Sequence, residues 1–146
     1  MVRKSNQSGL FLDQGLYKRE VTKTGTQLVP VESFNLAKGD RLVSRCIIKS
    51  DRPMEYLHLK IMRAAGLELI EQTSGYEWSG GMGYYKSPGD LASDIYIPYL
   101  PVGTFVLEYD LRCAFGGHFS QGVPSIQCMY APEFSALGSG QRIVIH

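Results

Sequence analysis

The stretch PMEYLHLKIMRAAGLELI, Pro53 to Ile70, decides the fold. Its Leu, Met, Lys, Arg and Ala are helix formers. Leu57, Leu59 and Ile61 nevertheless alternate with Tyr56, His58 and Lys60, the two-residue period of a strand with one buried face. Pro53 and Gly66 bound the pattern and leave a span that is marginal for a helix but comfortable for a strand and a turn. Strand-like neighbours on both sides argue the same way. The stretch reads as a strand turning at Ala64-Ala65-Gly66, with LELIE as a second short extended segment, and not as a partner-docking helix.

Working outward, turn residues recur along the chain, among them Gly39-Asp40, Pro88-Gly89, Pro101-Val102-Gly103, Gly116-Gly117 and Gly138-Ser139-Gly140. Short strands between regularly spaced turns predict a β-sandwich or barrel. The clearest strand is TFVLEYDLRCAF, 104 to 115, with Phe105, Leu107, Tyr109, Leu111, Cys113 and Phe115 on one face and Thr104, Glu108, Asp110 and Arg112 on the other. RLVSRCIIK (41–49) is a second, and DIYIPYL (94–100) a third, placed at an edge or strand end by Pro98. Weaker candidates are 16–23, 27–31, 125–130 and 142–146. Residues 1–15 read as a flexible tail or linker and 16–146 as one all-β, antiparallel sandwich domain with at most short helical turns.

Residues 73–94 resist this scheme. They are rich in Gly and Tyr, show no sustained periodicity and contain the only tryptophan, Trp78. A loop of that length is often functional. Tyr76, Trp78, Tyr84 and Tyr85 have two readings: they stack on sugar rings, as in a carbohydrate-binding module, or they fold back over the sheet and seal one end of the core. The second is the simpler.

Composition narrows the chemistry. Of 146 residues, 44% are hydrophobic and 20% charged, which predicts a packed core rather than disorder. A formal net charge of +1 gives no electrostatic footprint for nucleic acid, and Glu108 and Asp110 on the best strand would repel phosphates. No apolar run approaches a membrane span of roughly 20 residues, so no membrane insertion is expected, and the N-terminus lacks the apolar core of a signal peptide. Cys46, Cys113 and Cys128 are too far apart for a CxxC knuckle and read as buried free thiols. His58, His118 and His146 are scattered, without HExxH, so no metal site is expected. A Cys113–His118 nucleophilic pair is outweighed by the place of Cys113 on an apolar strand face. Neither a phosphate cradle nor an acid/base pair among Glu68, Glu71, Glu77 and Asp90 is marked. The residues alone predict a β-domain with no catalytic residue and no cofactor.

The order of segments adds more. LAKGDRLVSRCIIKSDRPMEYLHLKIMRAAGLE (36–68), SGYEWSGGMGYYKSPGD (74–90), YLPVGTFVLEYDLRCAFGGHF (99–119) and IQCMYAPEF (126–134) resemble, in sequence and spacing, the C-terminal MG10-type domain of bacterial α2-macroglobulin family proteins. The resemblance runs from about residue 16 to 145. RAAG (63–66) departs from the family's Pro-containing corner, which puts the tightness of that turn in doubt, and the chain has no CxEQ thioester motif. The resemblance implies a macroglobulin- or fibronectin-like β-sandwich that does no chemistry itself. It implies packing against the remaining domains of a parent chain, notably a thioester-type domain, with proteases as indirect partners. It also implies a periplasmic or outer-envelope location for that parent, where a cysteine pair is conceivable although free thiols remain the expectation. Tyr130, in MYAPEF, is the residue the resemblance offers for the interdomain contact. The alternative is a carbohydrate- or surface-binding module using the aromatic segment 74–90.

Overall fold

A computed structural model describes residues 9–30, 36–89 and 91–146. In chain order the strands are β1 (Leu10–Thr22), β2 (Gly25–Pro30), β3 (Arg41–Ser50), β4 (Met54–Met62), β5 (Leu67–Leu69), β6 (Gly75–Ser79) and β7 (Met82–Pro88). They continue with β8 (Ala92–Leu100), β9 (Gly103–Cys113), β10 (Gly117–Gln121), β11 (Ser125–Cys128), β12 (Ala131–Leu137) and β13 (Gln141–Ile145). No helix occurs among the described residues. One sheet has the order β2-β1-β3-β9-β5, the other β12-β11-β4-β8-β7-β6, and β10 with β13 forms a separate ribbon. Every strand ladder is antiparallel, as the sandwich expectation requires.

The deciding stretch is strand β4, flanked by β11 and β8. Leu57, Leu59 and Ile61 are buried and meet Cys46, Ile48, Phe105 and Leu107 of the facing sheet. Side chains of successive strand residues point to opposite faces, so one register brings all three inward at once. The chain then turns at Ala65-Gly66, with the Leu67 amide donating to the Ala64 carbonyl at 3.0 Å, and LEL crosses to the other sheet as β5 on β9. Gly66 is required there by close packing: a Cβ would sit 2.3 Å from the Phe119 ring. A second core, around Leu16, Leu42, Leu111, Ile143 and Ile145, lies under the β10–β13 ribbon, and Tyr109 packs against both cores.

Four expectations need correction. The domain begins before residue 16: β1 starts at Leu10, and Leu10 and Leu12 are fully buried in the main core, so residues 10–15 are no tail. Residues 1–8 lie outside the described residues. The segment 73–94 is no structureless loop, because 75–88 form the β6–β7 hairpin. Its turn, Gly80-Gly81, has φ of +55° and +92°, the left-handed pair that matches the twist of a two-residue hairpin. Strand β9 ends at Cys113, leaving Phe115 exposed beyond it rather than on the buried face. Finally, β8 is a central strand, so of the two places expected for Pro98, edge or strand end, only the strand end stands. Pro98 is tolerated because the β7 ladder stops at Tyr85↔Tyr96, so no partner on that side needs its missing N–H. Strands β10 and β12 were not expected from the sequence at all.

Candidate functional site

Strand β11 ends at Cys128, and Met129-Tyr130 turn the chain into β12 with Cys128 opposite Ala131. The Met129 amide donates to the Tyr56 carbonyl of β4 at 2.8 Å and ties the turn to that strand. Tyr56 is the one non-glycine residue with positive φ among those described, at +55°. It interrupts the β4–β8 ladder between Glu55↔Tyr99 and Leu57↔Ile97, where it would face Pro98. A proline that cannot donate makes such a break inexpensive, and the left-handed backbone at Tyr56, with the register unshifted on either side, re-aims the tyrosine side chain. The two rings then meet edge to face, with centroids 5.5 Å apart and planes at 85°.

Tyr130 is 83% exposed and Tyr56 51% exposed, so the pair stands out from the surface rather than sealing it. Beside it lies an open groove of about 410 Å³, lined by Pro53, Met54, Tyr56, Cys128, Tyr130 and Phe134, with Arg52 and Glu55 at its rim. Its floor carries the Cys128 thiol 3.7 Å from the Met54 sulfur. The Arg52 guanidinium lies 5.7 Å from the centre of the Phe134 ring and is paired with Asp51 at 2.9 Å, which holds the Asp51 carboxyl below its usual range. Rings, sulfur and one cation can grip an apolar or aromatic side chain.

The other candidate residues separate into two groups. Tyr76, Trp78 and Tyr85 stand on the outer face of the six-stranded sheet, whereas Tyr84 turns inward and is buried in the main core. There its hydroxyl donates to Glu77 at 3.2 Å, and burial beside that carboxylate pushes its pKa up to about 12. Of the four aromatics, then, Tyr84 alone is a core residue. Glu77 also takes Lys86 at 2.8 Å, Glu68 takes Arg112, and Glu71 accepts from Thr73 at 2.9 Å, so each of these carboxylates is engaged. Asp90 lies outside the described residues. Cys46, Cys113 and Cys128 are free and buried, and desolvation raises the pKa of all three, the reverse of thiol activation. Among the described residues no three His, Cys, Asp or Glu side chains cluster as metal ligands.

Sequence reasoning named Tyr130 but missed Tyr56, Arg52 and Phe134. A left-handed φ at a tyrosine leaves no mark in composition or periodicity, and β12, which carries Phe134, has too mixed a burial pattern to stand out.

Two facing antiparallel sheets with an exposed aromatic corner define a β-sandwich domain. The sequence profile of the Bacterial Alpha-2-macroglobulin MG10 domain matches residues 9–133, and the chain belongs to that family. The fold is similar to native alpha-2-macroglobulin from Escherichia coli spanning domain MG7 to the C-terminus (TM-score 0.78, 16% identity, covering 100% of this chain and 24% of that one). It is also similar to a mutant of Salmonella alpha-2-macroglobulin (TM-score 0.74, 16% identity, 99% of this chain and 10% of that one). A third is Escherichia coli alpha-2-macroglobulin activated by porcine elastase (TM-score 0.73, 15% identity, 100% of this chain and 14% of that one). The chain thus spans between a tenth and a quarter of these macroglobulin chains. No curated protein sequence matches it.

Proposed function

We propose that this chain is a non-catalytic C-terminal domain of an alpha-2-macroglobulin-like envelope protein, which packs against a neighbouring thioester-type domain and so supports protease trapping. The observation that carries the reading is the Tyr56–Tyr130 corner. Two large rings project over an apolar groove, and exposed aromatic surface of this kind marks contact sites. Family membership supplies the context of a longer parent chain. An extracytoplasmic location, periplasmic or outer-envelope, follows from that context as part of the proposal.

The test is Tyr130→Gly in the full-length parent. Loss of the neighbouring domain's seat would change native-gel mobility and reduce capture of an added protease, while this domain stays folded. Unchanged mobility and capture would sink the corner as an interdomain contact. Turnover of any substrate by the 146-residue chain, abolished by a single point substitution, would sink the non-catalytic reading.

A further inference from the structure

The aromatic residues of the β6–β7 hairpin continue across the sheet. Tyr76 faces Tyr85, Tyr85 faces Tyr96, and Tyr96 faces His58, so one cross-strand row spans four adjacent strands on the outer face. Tyr76 and Tyr85 meet edge to face at 5.0 Å, and His58 stacks on Tyr96 at 5.1 Å with planes 18° apart. Trp78, one row further along β6, faces Gly83. A Cβ at Gly83 would lie 3.2, 3.2 and 3.4 Å from three atoms of the six-membered ring, so the indole lies face-on against the glycine backbone. Its opposite face is open: Trp78 is 77% exposed and Tyr76 79% exposed.

We propose that this face binds an uncharged, extended pyranose glycan, with Trp78 and Tyr76 as its stacking surface. Tyr76 and Trp78 lie two residues apart on the same face of β6, about 6.8 Å along the strand, so a chain of sugars laid along that strand meets both rings. Hydroxyl and ring groups supply the edge contacts that sugars require: the Tyr85 and Tyr96 phenols, and His58, bonded to Asp94 at 2.7 Å. Charge on the face is balanced, with Lys60 directly opposite Asp94, so nothing favours a polyanion. A protein partner fits less well. Interface cores are depleted in Lys and Asp, and here both stand beside the rings. The site shares no residue with the Tyr130 corner, and its outcome leaves the proposed interdomain role untouched.

Trp78 is the only tryptophan, so tryptophan emission, excited selectively over the nine tyrosines, reports on this site alone. Titration with the hexamer of β-1,4-linked N-acetylglucosamine and with cellohexaose should shift or quench that emission, with affinity in the micromolar to millimolar range usual for small ligands. Calorimetry should then show Trp78→Ala and Tyr76→Ala each weakening binding roughly tenfold, a loss of about 1.4 kcal/mol, with Tyr130→Ala unchanged. Tyr76→Ala keeps the reporter and covers the case in which Trp78→Ala fails to fold. Co-sedimentation with insoluble cellulose or peptidoglycan distinguishes a wall polymer from a free oligosaccharide. No response to any of these saccharides overturns the proposal. So does a response to oligothymidylate instead of sugars, or self-association that Trp78→Ala removes while sugars have no effect.

Discussion

Tyr56 reaches Tyr130, at a centroid distance of 5.5 Å, from a backbone held at φ +55°. An L-residue there costs about 1–2 kcal/mol, and glycine escapes that cost because it has no Cβ. Tyr56→Ala and Tyr56→Gly both delete the ring, so their difference isolates the backbone. In an ordinary strand alanine is the more stable of the two. Here Tyr56→Gly should exceed Tyr56→Ala by about 1 kcal/mol in urea unfolding. Alanine equal to or better than glycine would mean that the tyrosine is not strained, and that the corner is simply where the strand ends.

The alternation of β4 makes a second expectation quantitative. Leu59 is fully buried between the sheets, whereas Lys60, next along the chain, is exposed. Leu59→Ala should cost about 2–5 kcal/mol through lost transfer energy and the cavity left behind. Lys60→Ala should stay within about 0.5 kcal/mol. Comparable losses at both positions would contradict the two-faced strand.

That strand was legible because its two faces differ in polarity. The same holds for β3 and β9, where Leu42, Cys46, Ile48, Leu107 and Leu111 point inward in register. The β6–β7 hairpin was illegible for the opposite reason. Its inner face carries Glu77 and Lys86, and its outer face Tyr76, Trp78 and Tyr85, so an apolar-alternation test finds no sided pattern. Inward charges on an edge strand also discourage pairing with another chain, which gives this inversion a physical use. The start of β1 was missed because Asp13, Gln14 and Gly15 follow Leu10 and Leu12 and blur their signal. Family resemblance alone points to Tyr130, since its partner Tyr56 is set by a left-handed backbone that no periodicity records.

The inward pair of that hairpin is itself testable. Lys86 is buried and its ammonium lies 2.8 Å from Glu77, whose carboxyl is held below its usual range chiefly by that hydrogen bond. Glu77→Gln leaves a buried cation without its counter-charge and should lose about 1–3 kcal/mol at neutral pH. Lys86→Met should lose less, because the remaining carboxylate is partly solvated. With the folded pKa depressed, the contribution is present above the unfolded value near 4.5 and is lost as pH falls through the lower folded one. The gap between wild type and Glu77→Gln should therefore narrow in acid. A gap that widens in acid, or Lys86→Met proving the weaker variant, would contradict the pairing.

Cys46 gives the last expectation, at the alkaline end. Its thiol is buried in the main core, and desolvation, with a smaller contribution from Asp13, pushes its pKa from 9.0 to about 12. A raised folded pKa means that the thiol's contribution is fully present below the unfolded value and is lost as pH rises toward the folded one. Stability should thus begin to fall near pH 9 and keep falling toward pH 12, with Tyr84 joining above its ordinary value of 10.0. Between pH 8 and pH 10, Cys46→Ala should lose about 1 kcal/mol less than the wild type in urea unfolding. The same burial predicts that a thiol reagent spares Cys46 in the native chain, whereas Cys128 lines the open groove, and that it finds Cys46, Cys113 and Cys128 alike once the chain is denatured. An equal alkaline slope in the variant, or rapid labelling of the native protein at Cys46, would show that the thiol is not held in the dry interior between the two sheets.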